Sequence, residues 1–136
     1  MRISKFKCQS SDKDQVGKRQ TYFDLEERMA IFGENTIKLC QALPHNVVTK
    51  PLISQVVRSA TSVGANYSEA NNASSRKDFR NKVHIAKKEA QETKHWLRML
   101  QTAVPETRDK LRMLWQENHE LCLILQSITN KVKETS

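Results

Sequence analysis

A chain of 136 residues with three glycines, three prolines and 6% aromatic residues is one domain of few, long elements, and its scarcity of β-branched runs excludes a sandwich or barrel. The formal net charge of +8 is concentrated: residues 1–20 hold six basic against two acidic residues, residues 74–98 hold eight against three, and the rest nearly cancels. No apolar run approaches the ~20 residues that span a bilayer and the N-terminus lacks the apolar core of a signal peptide, so the expectation is a cytoplasmic, all-α protein with a polyanionic partner and no membrane.

Residues 1–20 are polar, aperiodic and contain Gly17; they read as a flexible basic arm ahead of a bundle over 21–136. The first helix is predicted over 24–43. Asp24 can cap it, Glu27 completes a box-like start, and Leu25, Met29, Phe32, Leu39 and Leu43 give one apolar stripe that stops before Pro44. Pro44 to Pro51 is then a loop, and Pro51 suits the first position of a second helix over 51–72. On that helix Leu52, Val56, Ser59, Val63, Tyr67 and Ala70 share a face, Asn66 lies at its edge, and Arg58, Ser62, Ala65 and Glu69 form a polar line on its flank. Arg58 to Ala70 is rich in small residues. Gly64 alone costs a helix interior roughly 1 kcal/mol relative to Ala, so close approach of neighbouring helices must compensate.

Ser75 followed by Asp78 is a capping-box signature for a third helix over 75–101, with Phe79, Val83, Ala86, Ala90, Thr93, Leu97 and Leu100 as its core face. Val104-Pro105 breaks the chain. A fourth helix over 106–132 carries Leu111, Leu114, Asn118, Leu121, Leu125, Ile128 and Val132 at alternating three- and four-residue spacing, a coiled-coil-like seam with one polar position. Short connections make the four helices an antiparallel up-down-up-down bundle. Trp115, Cys122 and Ile124 widen the apolar surface of the fourth helix, and Trp96 and Ile85 lie off the main face of the third. Such an excess is hard to bury in a monomer and predicts a homo-oligomer.

Two sets of polar residues stand out. Counting outward from the turn near Asn72 sets Arg58 level with Glu89 and Glu92 on the third helix, while Glu69, at the other end of the second, is expected to meet Arg28 on the first. With Asn66 these form a structural polar network. A rival acid/base site made from Glu69, Glu89 or Glu92 requires a pocket, which small residues that draw helices together tend to abolish.

On the third helix Arg80, His84, Lys87, Gln91, Lys94 and Arg98 are spaced four, three, four, three and four, so they fall on one line offset from the core face. Arg76 extends the line, Lys77, Lys88 and His95 border it, and no acid interrupts it. A solvated face usually interleaves Glu with Lys. An uninterrupted stripe roughly 30 Å long matches several phosphates of a nucleic-acid backbone, RNA before DNA. The third helix has no aromatics at stacking intervals, so binding without sequence preference is expected. Cys8, Cys40 and Cys122 show no paired spacing; Cys40 and Cys122 fall at apolar helix positions, as small hydrophobes do. The four histidines make no H-x-x-x-H pair and no nucleotide or nucleophile motif occurs, so no metal, cofactor or catalytic residue is expected.

The run LxxQxxRSATSVGANYSEA followed by SRKDFxxKxxIAKKEAxETxxWLRML resembles the bacterial four-helix-bundle proteins encoded by intervening sequences of large-subunit ribosomal RNA genes, over about Phe23 to Leu100. The resemblance implies a bundle assembled into a ring of five, without known enzymatic activity. Matching positions are Arg58, Asn66, Glu69, Phe79 and Glu92, which it implies to be structural. A related branch, the accessory proteins of diversity-generating retroelements, binds nucleic acid and a reverse transcriptase, so a scaffold that docks such a partner protein is the alternative. The basic stripe comes from spacing alone.

Overall fold

The computed structural model describes residues 25–135, with side chains through Val132; the predicted basic arm, Cys8 and the Asp24 cap lie outside the described residues. Among the described residues, four helices run antiparallel in sequence order: α1 (Leu25–Ala42), α2 (Thr49–Asn71), α3 (Arg76–Ala103) and α4 (Arg108–Thr135), with one 3₁₀ turn at Pro105–Thr107. α3 packs between α2 and α4, while α1 lies along α2 and touches α4 more lightly.

Each core face follows the apolar period. All seven residues expected to face inward from α3, Phe79 through Leu100, are buried. The Ser75 hydroxyl accepts the Asp78 backbone N–H at 3.0 Å, which satisfies an orphan donor of the first turn. α3 runs two residues beyond its predicted end, to Ala103, where the Val104 N–H closes the last turn on the Leu100 carbonyl. On α4, Asn118 is buried in the apolar seam and donates through Nδ2 to the Ala90 carbonyl at 2.7 Å, fixing the height of α4 against α3.

α2 begins two residues earlier than predicted. Asn46 Oδ1 accepts the Val48 and Thr49 backbone N–H groups, and the Asn46 N–H donates back to the Thr49 hydroxyl, each at 2.9 Å. This reciprocal box starts the turn, so Pro51 lies inside the first turn rather than at its first position.

The small residues of α2 do what composition demanded. A Cβ added at Gly64 would stand 3.4 Å from Met29 Cβ and 3.6 Å from the Met29 carbonyl carbon, and one at Gly33 would stand 3.6 Å from Thr61 Cα, so α1 and α2 meet almost backbone to backbone. Toward α3, the buried hydroxyls of Ser59 and Thr93 meet at 2.8 Å. Ala60, outside the predicted face, is fully buried because α2 packs on two helices at once.

Candidate nucleic-acid interface

The acids and bases of the bundle are sorted by seam. Arg58 reaches from α2 to both predicted partners on α3, with Nη1 3.1 Å from Glu89 Oε1 and Nη2 on Glu92 Oε2. The Trp96 indole N–H also donates to Glu92 at 2.9 Å, and Trp96 packs half-buried against the core. Asn66 stays outside this network, its amide returned to the Ser62 carbonyl one turn back on α2.

The expected Arg28–Glu69 pair does not form. Glu69 accepts Lys82 Nζ at 2.8 Å, and Arg28 forks onto Glu117 at 2.7 and 2.9 Å and onto Glu120 at 2.7 Å. The reason is angular. Glu69 shares a line with Arg58, so it faces α3 as Arg58 does. Arg28 lies on the flank of α1 opposite the one where Gly33 packs against α2, and so faces α4. The hydrogen bond to Glu117 first, and the charges of Glu117 and Glu120 with it, raise the Arg28 guanidinium above its ordinary value. The three carboxylates of the rival acid/base reading, Glu69, Glu89 and Glu92, are all held in ion pairs on the α2–α3 flank.

The remaining seam, between α3 and α4, is where the basic line lies. Arg80, Lys87 and Lys94 are half-buried along it, while Arg76, Lys77, His84, Lys88 and Arg98 are exposed. Lys87 Nζ donates to Gln126 Oε1 at 2.8 Å and Lys94 Nζ to His119 Nδ1 at 2.9 Å. Both contacts belong to one antiparallel register, since each step forward on α3 matches the same step back on α4. Two polar clefts open in this seam. One, of about 320 Å³, lies among Arg80, His84, Lys87, Gln126 and Asn130; the other, of about 330 Å³, lies between Arg98 and Arg108.

α4 contributes residues that the sequence reading passed over. Arg108, Arg112, Trp115, His119, Cys122 and Gln126 are spaced four, three, four, three and four, the same rhythm as the line on α3, and they too include no acid. That repeat was the available signal. From the sequence, Trp115 reads as surplus apolar surface and His119 as a histidine without a metal-ligand partner. Glu117 and Glu120 project instead toward Arg28 on the far flank of α4. Among the described residues, Arg58 and Arg28 thus tie Glu89, Glu92, Glu117 and Glu120 to the other seams, and the side chains lining the two α3–α4 clefts include no acid.

A third, larger cleft of about 800 Å³ lies between α1 and α4, lined by Ile31, Leu39 and Met113 among others, with Met113 73% exposed. Among the described residues no three His, Cys, Asp or Glu side chains converge as metal ligands do, and no helix is long and apolar enough to cross a membrane.

Fold and seam together define an all-α four-helix bundle with a line of cations along its α3–α4 seam. Within that class, the chain belongs to the 23S rRNA-intervening sequence protein family, whose model matches residues 24–127. It is similar to a crystal structure of a protein of unknown function from the S23 ribosomal protein family of Bacteroides thetaiotaomicron, at 33% identity and a TM-score of 0.67, over 77% of this chain and 97% of that one. No curated protein matches the chain.

Proposed function

We propose that this chain is a non-enzymatic nucleic-acid-binding protein of the cytoplasm that holds the phosphate backbone of RNA, before DNA, along α3 and its seam with α4. The observation that supports this most is the sorting of charge. Among the described residues of α3 and α4, Glu89, Glu92, Glu117 and Glu120 are drawn to Arg58 or Arg28 on other seams, Asp78 and Asp109 lie in first turns, and the stripe keeps its cations in line. Such a surface attracts polyanions by counterion release rather than by base recognition. The genomic setting carried in the family's name makes RNA the first polyanion to try.

The test neutralises Arg80, Lys87, Lys94 and Arg98 together to Gln and measures RNA and DNA binding across a salt series. Binding should weaken by orders of magnitude and its salt dependence should become shallower; unchanged affinity and slope would refute the proposal. A protein partner retained from a pull-down after nuclease treatment would favour the scaffold reading instead.

The same proposal includes self-association into a closed ring. Ile31, Met113, Leu123 and Ile85 are exposed large apolar side chains, at 45%, 73%, 57% and 40%, and the first two border the α1–α4 cleft. Sedimentation at micromolar concentration should give a mass several times the 15.7 kDa protomer, and monomer alone would remove this part.

A further inference from the structure

We propose that the α3–α4 seam is a single-strand site, in which an unpaired nucleobase stacks on the Trp115–His119 pair while neighbouring phosphates occupy the cationic clefts on either side. This rests on the polyanion reading above and adds to it the class of nucleic acid.

Trp115 and His119 sit one turn apart on α4 with their rings stacked, 5.1 Å between centroids and 14° between planes, and both stay half-exposed. Lys94 reaches across from α3 to stand 5.2 Å over the Trp115 ring and 2.9 Å from His119 Nδ1. An ammonium can only donate, so Nδ1 accepts and the ring keeps its proton on Nε2. The contact holds the imidazole in orientation, and Trp115 and His119 form a preset aromatic pair with the Lys94 ammonium over the Trp115 ring. Trp115 packs one side against the core beside Leu111, Leu114, Asn118, Leu121 and Leu125, which fill the inward face of α4, and it leaves the rest of its ring partly exposed.

Position gives the surface its use. Lys94 lies about 10 Å along α3 from Lys87, at the first polar cleft, and about 6 Å from Arg98, at the second. A strand laid along the seam meets cations, then an aromatic platform, then cations. That sequence is how proteins hold single strands without reading bases, since every base has a π-face. A duplex keeps its bases stacked inside and offers the platform nothing.

The test uses the full chain carrying Trp96→Phe, which leaves Trp115 as the only tryptophan of the two. Probes are an oligouridine strand, its duplex with oligoadenosine, and an abasic deoxyribose-phosphate strand of the same length. Oligouridine should quench Trp115 fluorescence, and the duplex and abasic strand should not. In the otherwise native chain, Trp115→Leu should weaken oligouridine binding roughly 5- to 100-fold and leave abasic-strand binding unchanged, with Trp115→Phe recovering most of the loss.

Equal binding of oligouridine and the abasic strand, with no quenching, overturns the single-strand site and leaves the charge reading standing. Failure of all three probes to bind overturns both. If Trp115→Leu does not fold by circular dichroism, quenching in the Trp96→Phe chain decides alone.

Discussion

Gly64 and Gly33 decide how closely α1 and α2 pack, and the separations at Gly64 predict a change of sign with side-chain size. A methyl group at Gly64 would meet Met29 Cβ at 3.4 Å, at the edge of ordinary contact, so Gly64→Ala gains helix propensity without forcing the helices apart. Stability should rise by about 0.5 to 1 kcal/mol in urea unfolding. Gly64→Leu must push α1 away and should lose about 1 to 3 kcal/mol. Destabilisation by alanine equal to that by leucine would show a tighter contact than 3.4 Å. The buried thiols give a second residue-scale prediction. Burial pushes Cys40 up to about 11 from an ordinary 9.0, and burial raises Cys122 as well. Above pH 9 the unfolded chain releases these protons while the folded chain keeps them, so stability present below pH 9 is lost as pH climbs toward 11. The melting temperature should be flat to pH 9 and then fall, and Cys40→Ala, weaker throughout, should lose part of that fall. With Cys8 replaced by Ser, thiol reagents at pH 8 should react with the folded chain far more slowly than with the unfolded one.

At the scale of the element, the two ion-pair clusters differ in what else joins the helices they connect. α2 and α3 share a long, tightly packed face, so Arg58, 45% exposed, is one contact among many. Arg58→Met should cost about 0.5 to 1 kcal/mol without loosening either helix. α1 and α4 touch lightly and have the large apolar cleft between them, so the Arg28 fork carries more of that seam. Arg28→Met should speed amide exchange in α1 ahead of the rest of the bundle; uniform protection across all four helices would contradict it. The same contrast explains what could be read from the sequence. The Arg58 pairing was legible because a short turn near Asn72 fixes the register of α2 against α3, and counting residues from it is enough. The Arg28 pairing joins the first and last helices, whose register no single turn sets, and Glu69 was sent to it although it shares a line with Arg58. The seven-residue core face of α3 was legible from periodicity alone, whereas the early start of α2 depended on an Asn46–Thr49 exchange that reads as loop. On α4 the core period says nothing of the flank, and the platform exists only where Lys94 of α3 meets Trp115 and His119.

Across the whole molecule, the charge of +8 has two possible meanings, a general excess that any polyanion would feel or a groove that concentrates it. The two predict different responses to the same loss of charge. Replacing Arg80, Lys87, Lys94 and Arg98 by Gln removes four cations from the α3–α4 seam. Replacing Lys38, Lys50, Lys110 and Lys131, all exposed on other faces, removes the same charge elsewhere. If binding is to the groove, the first set should lower the slope of log affinity against log salt by about 3 for a single strand, since each lost phosphate contact subtracts about 0.7. The second set should change it little, because exposed charges more than about 8 Å from the strand are screened at physiological salt. Equal losses from both sets would mean that net charge alone drives binding, and the alignment of cations on α3 would have no consequence for function. The ion pairs of Arg28 and Arg58 are untouched in either set, so both variants should keep the native fold, and a third set that keeps Lys94 and replaces Arg80, Lys87 and Arg98 separates the charge from the Lys94 contacts with Trp115 and His119.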